Sequence, residues 1–415
     1  MIRLEEDGGG VTLPSSSPSL RQTLGLVAAI AGVTIAALIL VTSPLLLVIV
    51  YLLRDGALDG PTIQQGLALT VLGTGLGSAS FVVGWRVWKN LPSYPFNPRR
   101  PGLLWLIFIP LLMAGFTLSL LDLSLNFLLP PLNTLVMILL PLLVLSIVGK
   151  LLRGRGGTLR DVTAGLVGGA SLGTSLALVL ELAAVASLVA AAIALGLIPG
   201  GMGELEALLE QFQDPGILDD PQALLALLSP AAMIAALLFV STLTPLIEEA
   251  TKTLGVGLAG RWLRPTPARA FLLGVASGAG FSLAENLMNG AVISEIWGPG
   301  VLMRLAATLM HCATSGLMGW GWGELWVQRR PLRTLLAFVG ATGIHGTWNG
   351  LAFGVALAGI VGIGFVDNTV LMGVLGLLVL AMASTLLLLA AATLVGILWA
   401  AWSMGKAPNP SQYRG

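Results

Sequence analysis

Apolar stretches long enough to cross a bilayer, broken by short joints that carry the charge, constrain this chain more than any other feature. About 20 apolar residues make one membrane-crossing helix. Breaking the sequence at its charged and Pro/Gly-rich joints gives about ten such runs: 24–53, 63–87, 102–121, 131–149, 162–198, 231–260, 269–293, 300–326, 333–357 and 369–402. The fold class that follows is all-α, a polytopic membrane helix bundle, and the location is a cell membrane crossed many times. The fifth run is long enough for one tilted helix or for two short ones. With 56% hydrophobic and only 10% charged residues, and a mean hydropathy of +0.92, the composition lies outside soluble globular usage.

The joints set an orientation, because Lys and Arg accumulate on the cytoplasmic side. Alternate joints are basic: Arg86, Lys89, Arg99 and Arg100; Lys150, Arg153, Arg155 and Arg160; Arg261, Arg264 and Arg269; Arg329, Arg330 and Arg333. The longest intervening joint, Gly203 to Gln222, has six acids and no base. Both termini are therefore expected to be cytoplasmic. The first ~20 residues are acidic and Gly/Ser/Pro-rich, unlike the basic start of a secretory signal, and are expected to be disordered. The run 24–53 then reads as a retained first span.

A net charge of +1 offers no basic surface, so no nucleic-acid partner is expected. The chain has no C-x-x-C pair, no P-loop and no dinucleotide fingerprint after a strand. Its single cysteine, Cys312, has no thiol partner and reads as small core filler. Small-xxx-small pairs recur, Gly73 with Gly77, Gly165 with Gly169 and Gly173, Gly274 with Gly278, and Gly319 with Gly323. Close helix packing accounts for them. Trp320, Trp322 and Trp326, near a basic joint, fit an interfacial belt.

Against this background a few polar residues stand inside the runs. Glu248, Glu249 and Lys252 lie in the sixth, Glu285 and Asn286 in the seventh, His311 in the eighth, and His345 and Asn349 in the ninth. The two histidines are the only ones in the chain. Counting ~1.5 Å of rise per residue from the nearest cytoplasmic arginine places these groups ~18 to ~27 Å up, with His345 lowest and His311 highest. Glu248 and Lys252, Phe281 and Glu285, and His345 and Asn349 are i,i+4 pairs, each on one helix face. Three glutamates and a lysine at mid-bilayer cost roughly 10 kcal/mol before pairing, which a functional cavity would explain. A buried pair that clips helices together would account for Glu249 and Lys252 alone. Glu181 has no such company in sequence, and packing or pairing explains it as well as function does.

The motifs EEATK (248–252), FSLAEN (281–286), a histidine in the next run and HGTWN (345–349) in the one after it resemble, in this order, those of the PrsW family of intramembrane proteases, relatives of the CAAX-processing and bacteriocin-processing membrane endopeptidases. The similarity covers roughly residues 231 to 357. The expected organisation is a disordered cytoplasmic N-terminus (1–22), N-terminal transmembrane helices of unassigned role (23–200), an acidic extracytoplasmic loop (201–230), a PrsW-like catalytic core (231–360) and a C-terminal transmembrane helix with tail (361–415). The resemblance implies peptide hydrolysis in or near the membrane, with a glutamate of the first motif activating water. CAAX-type relatives carry EExxxR and FxxxH where this chain has EExxK and FxxxE, so Glu285 stands where they have histidine. The implied partner, besides the lipid bilayer, is a membrane-anchored protein or peptide substrate, such as an anti-sigma factor in regulated proteolysis.

Peptide hydrolysis needs an activated water, an oxyanion donor and an acid for the leaving amine. Glu248 or Glu249 is the candidate base, with Lys252 beside it. His345 can pass a proton, Asn349 can donate to the oxyanion, and His311 with Glu285 can complete the proton path. Alternatively, Glu285, His311 and His345 could ligate zinc, with Glu248 as base. No cofactor is favoured, because the ~9 Å spread in depth separates the two histidines; zinc is the alternative. Two other classes stay open on the residues: a proton-coupled transporter, since Glu/His chains also relay protons, and a non-catalytic membrane scaffold or immunity protein.

Overall fold

The apolar runs become helices. A computed structural model describes residues 19–53, 58–121, 126–196, 200–213, 230–290 and 297–407, and among these there are no strands and 10 helices long and apolar enough to cross a membrane. In chain order they are α1 (Leu20–Leu53), α2 (Gly60–Trp88), α3 (Gly102–Leu121), α4 (Leu129–Leu151), α5 (Leu159–Ala194), α7 (Pro230–Leu263), α8 (Pro267–Met288), α9 (Trp297–Trp326), α10 (Pro331–Gly364) and α11 (Thr369–Lys406). The short α6 (Gly201–Gln213) covers the first part of the acidic joint. The remainder of that joint, 214–229, and the N-terminal residues 1–18 lie outside the described residues.

The fifth run is one helix, not two, but an irregular one. A π-helical stretch at Gly169–Gly173 interrupts α5, and another at Phe239–Leu243 interrupts α7. Such wide turns displace the helix axis and free backbone carbonyls for outside partners.

Local chemistry explains where key helices begin. Thr158 caps α5 in a reciprocal capping box with Asp161. Thr266 caps α8, and Pro267 fills the first turn, where a missing N–H costs nothing. Arg269 pairs with Asp161 at 3.0 Å, so α5 and α8 start side by side at the basic joints.

Helix α8 is the centre of the bundle, buried over 83% of its apolar window and packed on α4, α5 and α9. Its glycines make this approach possible. A Cβ on Gly278 would collide with the His311 carbonyl of α9, and one on Gly280 with the Leu166 carbonyl of α5. The small-xxx-small pairs are thus packing surfaces, as their spacing predicts. Cys312 is wholly buried in the apolar core with Phe271, Leu272 and Val275. At the periphery, α1 packs on α2, with Gly32 of α1 against Gly77 of α2.

The expected tryptophan belt takes a different form. Trp322 Nε1 donates to Thr253 Oγ1 at 3.0 Å, and Trp326 Nε1 to the Gly257 carbonyl at 2.8 Å. Both indoles are half-buried against the last turns of α7 and lock it to α9. A Cβ on Gly257 or Gly260 would collide with these rings.

Reporter fusions test the orientation that the basic joints imply. A reporter within 203–222 is expected on the exofacial side and one within 264–266 on the cytoplasmic side. The same side for both would break the span order.

Candidate active site

The site begins with an irregularity in α7. Pro245 has no N–H to return to the preceding turn, and the π-helical stretch ends just before it. The carbonyls left over face α10. Asn349 Nδ2 donates to the Val240 carbonyl at 3.2 Å, and Gly346 lies so close to the Ser241 carbonyl that a Cβ there would overlap it. This seats α10 against α7 next to His345. Asn349, expected at the oxyanion, is engaged in holding the two helices in register.

From Thr244 to Lys252 the chain is regular helix, and its inward face carries Glu249 and Lys252, with Glu248 at the edge. The helix then breaks at Thr253 (φ −101°, ψ 9°). The freed Lys252 carbonyl accepts a short hydrogen bond from Ser277 Oγ of α8. On the other side Gly173, at the end of the π turn of α5, leaves 3.2 Å between a hypothetical Cβ and Lys252 Cα. Lys252 is therefore pinned by its backbone before its side chain makes any contact.

Its ammonium is the hub. Nζ lies 2.9 Å from Glu248 Oε2, 2.9 Å from Glu249 Oε1, 2.8 Å from His311 Nδ1 and 3.3 Å from His345 Nδ1. The Phe281 ring covers it at 4.4 Å. Glu249 is wholly buried; its Oε1 also receives Thr314 Oγ1 at 3.1 Å and meets His345 Nδ1 at 2.9 Å. His311 Nε2 meets Glu285 Oε2 at 2.7 Å. An ionised carboxylate only accepts, so in the neutral rings the protons sit on His345 Nδ1 and on His311 Nε2. That leaves His311 Nδ1 to accept from Lys252 and His345 Nε2 turned towards Glu248 Oε2, at 3.7 Å.

A second layer supports Glu285. Arg304 pairs with its carboxylate at 3.1 Å and donates from Nε to Asn286 Oδ1 at 2.7 Å; Asn286 Nδ2 donates to Thr308 Oγ1 at 3.1 Å. Arg304 and Thr314 escaped the sequence reading. Arg304 stands two helical turns before His311 inside an apolar run, and that buried charge was the available signal. Thr314 carries no such mark. Glu181 of α5 has a buried Oε1 without a hydrogen-bond partner among the described residues.

The two histidine rings are 5.0 Å apart, edge to face, so the ~9 Å offset in depth expected from residue counting is not there. The count took every arginine as one level. In fact α9 ends at Trp326, and the chain turns at Arg329 (φ 58°), so the last three counted residues add no rise, which removes about half of that offset. The metal-ligand set also changes. Glu248, His311 and His345 each bring one ligand atom within 4.8 Å of the others, a set that could hold a metal ion; Glu285 sits behind His311 instead of beside it.

Exposure is graded across the cluster. The side chains of Lys252 and Glu249 are 0% exposed and those of His345 and His311 1% and 2%, while Glu248 and Arg304 reach 12% and Glu285 29%. Glu285, the most exposed member, and Arg304 lie near the end of α8 and the start of α9, away from the basic joint that begins α8.

Residues 158–384, more than half of the chain, match the family model described as PrsW family intramembrane metalloprotease. The chain belongs to the PrsW family. It is accordingly a membrane endopeptidase, and the match reaches well beyond the motif-bearing stretch to take in α5, whose π turn backs Lys252. No curated protein and no solved structure matches the chain. An intramembrane protease acts on a membrane-embedded protein substrate, and the transporter and scaffold alternatives fall away.

Proposed function

We propose that this PrsW-family protease hydrolyses its substrate with a water activated by Glu248, without a metal step. The observation that carries the reading is the asymmetry of the adjacent glutamates. Glu249 is wholly buried and bound by Lys252, His345 and Thr314, whereas the Glu248 side chain is 12% exposed. A general base must touch both water and substrate, and only Glu248 of the pair has that access.

In this account Glu248 takes a proton from water as the oxygen attacks the carbonyl. Lys252, fixed between both carboxylates, holds Glu248 in place and provides positive charge near the developing oxyanion. His345 Nε2, on the Glu248 side, receives the proton and delivers it to the leaving amine, while Glu249 holds the ring through Nδ1. Glu285 and Arg304 orient His311, which in turn accepts from Lys252. Asn349 acts through α7 and α10 and positions His345. The cut substrate is a membrane-anchored protein, and release of a regulator is the kind of outcome the family resemblance implies.

The family description calls for a metal, and the residue types fit one: a carboxylate and two imidazoles, each imidazole backed by a second carboxylate. The three donor atoms also lie within 4.8 Å of one another, but the place between them is contested by Lys252. Donors around zinc stand about 3.3 Å apart, and Lys252 Nζ already sits within hydrogen-bonding distance of Glu248 and His311. Cleavage in proteoliposomes is therefore expected to continue in EDTA and in 1,10-phenanthroline. Loss of activity to chelator with recovery on zinc addition would replace glutamate activation by metal activation and leave the protease assignment standing.

A further inference from the structure

The ammonium group has three N–H donors and no acceptor. Around Lys252 there are three acceptors at hydrogen-bonding distance: Glu248 Oε2 at 2.9 Å, Glu249 Oε1 at 2.9 Å and His311 Nδ1 at 2.8 Å. His345 Nδ1, at 3.3 Å, directs its own proton to Glu249 and completes the ring of contacts without requiring a fourth donor. The number matches, with Glu249 and His311 as hydrogen-bond acceptors and Glu248 as an ion-pair partner. The group so enclosed is a cation coordinated by two carboxylates and an imidazole, which is also how a protein holds a divalent ion.

We propose that Lys252 is the resident cation of this centre, that its ammonium fills the place a divalent metal would need, and that removing it turns the centre into a metal site. The inference rests on the catalytic reading above only in locating the centre. Two observations bar the side chain from swinging aside. Its backbone is pinned between Ser277 and Gly173, and the Phe281 ring lies over Nζ at 4.4 Å. An ion bound ~2 Å from Glu248 and His311 would stand within about 3 Å of Nζ, where like charges repel and both ligand atoms would have to give up their hydrogen bonds. Without the lysine, two adjacent carboxylates and the free lone pair of His311 face a vacated space with no cation to offset them. Divalent metal is the ligand that this donor set selects.

The test reads metal content, not activity. Full-length protein purified without a histidine tag, equilibrated with zinc and desalted, is analysed by plasma mass spectrometry beside Lys252→Met, Lys252→Arg and Lys252→Met/His311→Ala. Wild type and Lys252→Arg are expected to hold less than about a tenth of an ion per chain, Lys252→Met about one, and the double variant again less than about a tenth. Cobalt in place of zinc should give visible d–d absorption in Lys252→Met alone. Stoichiometric metal in wild type that is lost in His311→Ala overturns the proposal, and so does a folded Lys252→Met that binds none. Should Lys252→Met fail to fold, Lys252→Gln is read in its place by the same outcomes, with His311→Ala analysed beside it as the control for any wild-type metal. A folded Lys252→Met that binds no metal leaves Glu248 as base untouched, because that role is read from cleavage; stoichiometric metal in wild type would also count against the metal-free step, and the chelator experiment above separates the two.

Discussion

Glu248→Gln is expected to lower cleavage by about 10²-fold to 10⁴-fold, the range supplied by a general base, while the protein accumulates in the membrane at its normal level. The amide keeps the shape of the side chain and an oxygen that can accept from Lys252 Nζ, now at 2.9 Å from the carboxylate. The proton-accepting capacity is what disappears. His345→Ala should fall as far, since it removes the proton carrier 3.7 Å from Glu248. Both rates are read from single-turnover cleavage in proteoliposomes, with melting temperature as the control for folding. Depletion of both variants from the membrane would mean that these residues hold the bundle together and that the chemistry lies elsewhere.

The neighbouring residue should behave in the opposite way. Glu249→Ala is expected to destabilise the protein by about 3 to 5 kcal/mol, as breaking one side of a buried ion pair does. The substitution strips Lys252 of one carboxylate and leaves Thr314 Oγ1 and His345 Nδ1 without the oxygen they share. Glu249→Gln, which keeps an acceptor at that point, should lose much less stability. Thermal unfolding in detergent and membrane abundance measure both. A stable Glu249→Ala that is inactive would exchange the roles assigned to the two glutamates.

The different surroundings of this pair are not readable from EEATK alone. The i,i+3 and i,i+4 spacing puts Glu248 and Glu249 equally near Lys252, and both lie 2.9 Å from it. What separates them is the surroundings: α9 and α10 close over Glu249 with Thr314 and His345, whereas the Glu248 side chain stays 12% exposed. The helical fold was legible throughout, because apolar runs of bilayer length admit few other structures. So was the convergence of four consecutive spans, since the cost of charge in lipid demands partners. The π turns were not legible. One lies just before Pro245 and the other begins at Gly169, and beside the first of them Asn349 donates to the Val240 carbonyl. Arg304 was hidden for a simpler reason: within an apolar run, a single arginine two turns from a histidine has no recognisable motif, although its contact with Glu285 completes the support of His311.

The most direct measurement compares new protein termini in membranes of cells producing either wild type or Glu248→Gln at equal abundance. The account predicts one or a few membrane-anchored proteins cut in or beside a transmembrane segment in wild type and intact with the variant. Identical sets of termini in both membranes, with both proteins folded, would contradict it.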